Sequence, residues 1–263
     1  MEERLTIIVD SFDGYSDIWP YFFKLLHKYW ADCPYKVKLV CNLKDFDEEQ
    51  IKTGEETDWV TRTLSALNYI DSPYVLLLLE DYFLSENICN RTFEQVFSNA
   101  FDLDMNYLRL IEIPKSRANR KGDILPIYAN EEYGINLQAS IWKVDFLKTK
   151  LIEIGKGSAW EFEVFFLKNR ILEKKTISGC YTLKGNTFGF HNGVLKGKWF
   201  RKEIQFYKKR GVDIDYTERG RLSFLEEKWF VISQKTKRYM PYFMRKAIKR
   251  ILKAFGFRFV SDI

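Results

Sequence analysis

Residues 74–79, Tyr-Val-Leu-Leu-Leu-Leu, read as a buried strand, and the run stops abruptly at two adjacent carboxylates, Glu80 and Asp81, followed by Tyr82. A short continuous apolar run of this kind is what a strand buried on both faces of a sheet presents. The segments around it alternate in type. "LTIIVDSF" is a strand ending near Asp10; "DIWPYFFKLLHKYWADC" has helical spacing, with Asp17 placed to cap it. "YKVKLVCN" is a second strand ending at Asn42, "DWVTRTLSALNYI" a second helix capped by Asp58. After the leucine run come a helical "RTFEQVFSNAFDL", a strand "MNYLRLIEIP", a strand and helix in "GINLQASIWKVDFLKTKL", and a helix in "GSAWEFEVFFLKNRIL". Such alternation predicts an α/β fold with a mostly parallel central sheet flanked by helices. The Gly- and Asn-rich residues 175–200 read as loops and edge strands, and residues 204–230 as largely helical.

Open parallel sheets bind ligands outside the carboxyl ends of their strands. Three of those ends are polar here: residues 10–14, Asn42 and the Glu80–Asp81 pair. The acids therefore fall on the edge where such a sheet holds its ligand.

Composition narrows the classes. The 263 residues are 46% hydrophobic and 30% charged, enough for one large domain with an appendage. The four cysteines, Cys33, Cys41, Cys89 and Cys180, form no C-x-x-C, and there are only two histidines, so a Cys/His zinc site is not expected. The start "MEERLTIIVD" does not read as a signal peptide, and no apolar run approaches bilayer length. A cytoplasmic chain with reduced thiols is the expectation. The net charge of +6 is concentrated at one end: Lys235, Lys237, Arg238, Arg245, Lys246, Lys249, Arg250, Lys253 and Arg258 face only Asp262. Phe243, Ala247, Ile248, Ile251, Leu252 and Phe255 recur at helical spacing among them. This predicts a basic amphipathic helix suited to the inner face of an anionic membrane, in a segment 231–263 appended to a domain 1–230. The basic residues are not interleaved with an RNA or DNA motif, so nucleic acid is not expected as a partner.

The pieces "VDSFDGYSDIWPYFFKLLHKYW", "VCN", "DWVTRTLSALNYIDSPYVLLLLEDYFL", "INLQASIW" and "WEFE" together resemble bacterial glycosyltransferases of the GT-A (Rossmann-like) fold, those of capsule, lipopolysaccharide and exopolysaccharide synthesis. The resemblance covers about residues 5–200 and rests on the order of the pieces. It implies a nucleotide-sugar donor, a lipid-linked glycan acceptor and a divalent cation, Mn²⁺ or Mg²⁺. It matches Glu80-Asp81-Tyr82 to the family's Asp-x-Asp and departs from it in sequence. On this resemblance Asp10, Ser11, Asp13, Tyr15, Asn42, Trp59, Arg62, Glu80, Lys196 and Lys198 contact the donor, and Asp81 and His191 the metal. Gln138, Ser140, Trp142 and Trp160 line the acceptor side. An inverting transfer needs one carboxylate to take the acceptor's proton; Glu161 is the first choice and Glu163 the second.

Each of these positions has a plainer reading too. Residues 10–15 also suit an ordinary βα turn, Glu161 and Glu163 a helix first turn, Trp142 a core strand, and Lys196 and Lys198 a solvated loop. A nucleotidyltransferase on a related sheet is an alternative, although "VDSFDGYSD" lacks the Gly-rich, Arg-containing loop of that class. A non-enzymatic carbohydrate- or nucleic-acid-binding module is another.

Overall fold

The computed structural model describes residues 4–118, 121–131, 133–166 and 175–239. The segment predicted from sequence as a basic amphipathic helix, beyond residue 239, lies outside them. The chain divides into two compact units, Met1–Asn192 and Gly193–Ile263.

In the first unit the elements run β1 (Leu5–Asp10), α1 (Trp19–Tyr29), β2 (Lys36–Cys41), β3 (Gln50–Lys52), α2 (Trp59–Leu67), β4 (Tyr74–Leu79), β5 (Tyr82–Leu84), α3 (Asn90–Asp102), β6 (Tyr107–Arg109), β7 (Ile124–Tyr128), β8 (Ser140–Lys143), α4 (Val144–Ile154), α5 (Ala159–Phe165), β9 (Thr176–Leu183) and β10 (Phe190–Asn192). Eight strands form one sheet in the order β3-β2-β1-β4-β8-β6-β9-β7. Strands β3, β2, β1 and β4 are mutually parallel, as are β6 and β9. β8 runs antiparallel to both its neighbours, and β7 antiparallel to β9. The expected α/β class with a mostly parallel central sheet is what the chain forms.

The leucine run explains the layers. Alternate side chains of β4 leave opposite faces of the sheet. Val75 and Leu77 join a core with Val60 and Leu67 of α2, Leu147 and Leu151 of α4, and Phe162 of α5. Tyr74 goes the other way, its ring 6.0 Å from that of Phe97 in α3, and α1 closes the same layer through Trp30 against Phe93 at 4.8 Å. Each fully buried Leu side chain contributes about 2 kcal/mol, so Leu76, Leu77 and Leu78, with the partly buried Leu79, anchor the strand that carries the acids.

Some expectations need correction. Asp17 does not cap α1: the cap position is Ile18, without a side-chain hydrogen bond, and Pro20 sits in the first turn, where its missing N–H has no partner to lose. Asp58 does cap α2. β9 is not an edge strand but lies between β6 and β7. The strand expected across "MNYLRLIEIP" is three residues long.

The second unit holds β11 (Val194–Leu195), β12 (Lys198–Trp199), α6 (Arg201–Lys208) and α7 (Phe224–Tyr239). The helix expected over 204–230 is interrupted: α6 stops beside Gly211, at φ +79°, and irregular chain follows to residue 223. Lys196 and Gly197 join β11 to β12, with φ of +51° and +77°. Positive φ at both central residues is what a tight two-residue hairpin turn demands.

Candidate active site

The direction of strand addition reverses at β1. From β1 the chain adds β2 and β3 on one side, then returns to place β4 on the other. At such a switch point the loops after the two strands diverge and leave a crevice at their carboxyl ends. β1 delivers Asp10, Ser11 and Phe12 to it, and β4 delivers Glu80 and Asp81.

Asp10 is buried, and three residues of α2 converge on it. Thr63 Oγ1 donates to its Oδ2 at 2.7 Å, Arg62 Nε lies 3.9 Å from its Oδ1, and Trp59 offers its indole. Positions 59, 62 and 63 share one helix face. Burial raises the Asp10 carboxyl above its ordinary range, with Arg62, Thr63 and Trp59 opposing. Arg62 is itself buried; its Nη1 donates to Glu56 at 3.2 Å and its guanidinium stands 5.3 Å over the Phe12 ring.

Ser11 Oγ accepts from the Trp19 indole at 2.7 Å. Asp13 and Asn42 lock two loops together. Asp13 accepts from the backbone N–H of Asn42, Leu43 and Lys44 at 2.9–3.0 Å, and Asn42 Oδ1 accepts from Asp13 N at 3.0 Å. Burial pushes the Asp13 carboxyl up, but these bonds outweigh it and hold the carboxyl below 3.8. Both its oxygens are thus used by the protein, while the Nδ2 of the buried Asn42 has no hydrogen-bond partner. The Tyr15 ring packs 4.9 Å from Phe12.

Glu80 is buried beside Asp81. Burial first, then Asp81 and Asp10, push its carboxyl up to about 8, so it keeps its proton at neutral pH. Tyr82 follows in β5, opposite Asn192 of β10, to which it is hydrogen-bonded. Burial and then Asp81 push its phenol up, and Glu163 also lies within electrostatic reach.

The two acids of α5 are not equivalent. Glu161 is exposed and forms a capping box: its Oε2 accepts from Ser158 N at 2.7 Å and Ser158 Oγ at 2.8 Å, and its own N–H donates to Ser158 Oγ. Glu163 turns inward, and one oxygen accepts from Leu137 N at 2.8 Å. Burial lifts its carboxyl to about 7, with the Leu137 bond opposing. Asp58 fixes α5 against α2: its Oδ1 accepts from both Thr61 N and Gly157 N. Replacing Asp58 by Ala is expected to cost about 1–2 kcal/mol in urea unfolding, at the upper end of a normal cap because two segments lose a partner. Burial raises this carboxyl too, but the Gly157 and Thr61 bonds leave it lowered. Its stabilisation is therefore present above 3.8 and is lost as pH falls through the lowered value.

The remaining predicted residues fall elsewhere. Ser140 and Trp142 belong to the core and not to an acceptor surface: both are fully buried, the Trp142 indole donates to Ser140 Oγ at 2.8 Å, and Ser140 Oγ donates to Gln138 O. Gln138 and Trp160 are half-buried. His191 pairs across the strands with Phe83, so the pleat sends it to the face opposite Tyr82 and Asn192. Lys196 is a hairpin residue of the second unit, and Lys198 Nζ lies 3.4 Å from Glu226 Oε1. Among the described residues, no three His, Cys, Asp or Glu side chains gather as a metal-binding group. The Glu80–Asp81 pair fits a cation only if phosphate oxygens supply most of its ligands, as is usual for Mg²⁺.

Sequence inspection passed over Thr63, Asn192 and Arg109, and gave Tyr82 no role beyond its place in Glu80-Asp81-Tyr82. Arg109 is fully buried, and its guanidinium donates to Thr182 Oγ1 and to the carbonyls of Tyr133, Gly134 and Pro114, shaping the loop that leads to Leu137. Only Thr63 had a signal, the helical spacing from Trp59 and Arg62.

No protein-family model and no curated protein matches the chain. Solved structures do. S. aureus TarS residues 1–349 in complex with UDP-GlcNAc superposes with a TM-score of 0.45 and 14% identity, over 74% of this chain and 60% of that one. An active-site mutant of LgtC gives 0.41 and 11%, over 67% and 72%. A cytidylyltransferase from Leptospira borgpetersenii gives 0.40 and 13%, over 71% and 77%. The chain spans 41% to 60% of the length of the TarS chains it matches. No described helix is long and apolar enough to cross a membrane.

Proposed function

We propose that the chain is a glycosyltransferase that moves a sugar from a nucleotide-sugar donor to a hydroxyl of a lipid-linked glycan, in cell-surface polysaccharide synthesis, with inversion. The observation that carries this reading is the pairing of two acidic centres. Asp10, Glu80 and Asp81 meet at the switch-point crevice, and Asp81 and Glu163 both lie within electrostatic reach of Tyr82.

The donor's nucleoside lies against Phe12, Tyr15 and the unused Asn42 amide, and Arg62 takes its diphosphate by exchanging Glu56 for phosphate. The acceptor hydroxyl approaches from the Glu163 side. Its oxygen bonds to the anomeric carbon as the bond to the diphosphate breaks; Glu163 takes the hydroxyl proton and the nucleoside diphosphate leaves. Of the two α5 acids, Glu163 is the base, because a carboxyl near pH 7 is matched to that task and because Glu161 is committed to the helix cap. A divalent cation held by Asp81 and Glu80 would neutralise the departing diphosphate. The basic segment beyond residue 239 would keep the enzyme at the membrane that carries its acceptor.

Calorimetric titration with UDP, GDP, CMP and dTDP, each with and without Mn²⁺, tests the reading. One nucleotide is expected to bind at micromolar Kd, more tightly with the metal. The metal-dependent step should release a proton at pH 7, since Glu80 must give up its own. If none of the four binds, the nucleotide-sugar reading fails.

A further inference from the structure

The second unit carries a charge and a surface that the proposed reaction does not use. Of the 42 Lys and Arg in the chain, 19 lie in residues 193–263, against 7 of the 36 Asp and Glu. This stretch therefore has a net charge of +12 and residues 1–192 a net charge of −6.

Within that unit α7 is held from one side. Glu226 meets Lys198, Glu227 Oε1 accepts from Lys202 N at 3.4 Å, and the Phe230 ring lies 5.7 Å from Phe200. The other side carries Phe224, Leu225, Trp229 and Ile232. At 100° per residue these four fall within an arc of about 140°. They are 54%, 75%, 73% and 53% exposed. Lys228 lies in the same arc, its Nζ 4.4 Å over the Phe224 ring. Single exposed apolar residues are ordinary, but a contiguous ridge of this size on one helix marks a contact surface.

We propose that this face of α7 docks on an anionic lipid bilayer, with Leu225 and Trp229 entering the headgroup boundary and Lys228 meeting lipid phosphate. Three observations favour lipid over protein as the occupant. Trp has an apolar body and one N–H donor, which suits it to the bilayer interface. A cation stands within the apolar ridge itself. The sequence continues into nine Lys and Arg from Lys235 to Arg258 against the single Asp262, which matches an anionic surface. The surface lies upstream of the segment singled out from sequence, and the proposal stands whether or not the crevice transfers sugar.

The test is co-sedimentation of the full chain with phosphatidylcholine vesicles, with and without phosphatidylglycerol. Wild-type protein is expected to bind the anionic vesicles and to bind pure phosphatidylcholine far more weakly. Leu225→Gln/Trp229→Gln should lose about tenfold or more in affinity for the anionic vesicles, with the circular dichroism spectrum unchanged and each single variant intermediate. Equal binding by wild type and the double variant would overturn the proposal and leave the charge of the following segment as the sole attraction. Absence of wild-type binding would overturn it too. A wild-type dimer that the double variant converts to monomer, without vesicle binding, would instead assign the ridge to a second copy of the chain.

Discussion

Glu163→Gln is expected to lower turnover by about 10²- to 10⁴-fold, the usual worth of a positioned general base, while nucleotide affinity stays within about twofold of wild type because the proposed reaction uses this carboxyl on the acceptor and not on the donor. The amide is isosteric and still accepts from Leu137 N, so the fold should survive. The wild-type rate should rise with pH through about 7, since the base acts only when deprotonated. That inflection should vanish from the residual activity of the variant. Stability moves the opposite way. A carboxyl raised in the folded state favours folding below its ordinary value of 4.5 and loses that contribution as pH rises through about 7. Glu163→Gln should therefore flatten the stability–pH curve across that interval. Glu161→Gln is the contrasting variant: it weakens a capping box by about 1 kcal/mol and leaves turnover near wild type. Full turnover in Glu163→Gln would remove Glu163 from the reaction.

Arg62→Met should destabilise the protein by about 3–5 kcal/mol in urea unfolding at pH 7, the range for breaking a buried pair by deleting one partner. Met replaces the stem of the side chain, so the loss comes from leaving Asp10 buried without its cation. The penalty should shrink at acid pH, where Asp10 takes up a proton and no charge is left uncompensated. Asp10→Asn/Arg62→Met should recover at least half of the loss, because no isolated ion remains. Arg62→Lys is not a rescue, since the ammonium cannot stand over Phe12 and reach Glu56 with one planar group. If Arg62→Met unfolds like the wild type, the 3.9 Å approach to Asp10 contributes nothing.

What was legible in the sequence was what apolar runs encode. β1, β2 and β4 announced themselves, and polar residues ending buried strands located the crevice. Strands of two or three residues, such as β3 and β5, have no such signature, because their pairing partners and not their own pattern create them. The burial of Ser140 and Trp142, two of the four residues expected on the acceptor side, was hidden for a related reason. Ser140 and Trp142 do share one face of β8, as alternation requires. But β8 lies between β4 and β6, and Ser140, Ile141 and Trp142 are all buried, so neither face is a surface. Glu161 and Glu163 look alike in a first helical turn. What separates them is the Leu137 amide, 26 residues away, which no local pattern reports. Arg109 was invisible for the same reason: its partners come from three separate segments.

The mutual bonds between Asp13 and the 42–44 backbone make the loops after β1 and β2 a single piece before any ligand arrives. The disorder that a mobile loop would surrender on association has already been given up during folding. A nucleotide entering this crevice should therefore meet a finished floor. Its association rate would be set by diffusion and charge, and its residence time by how many of the fixed groups it satisfies.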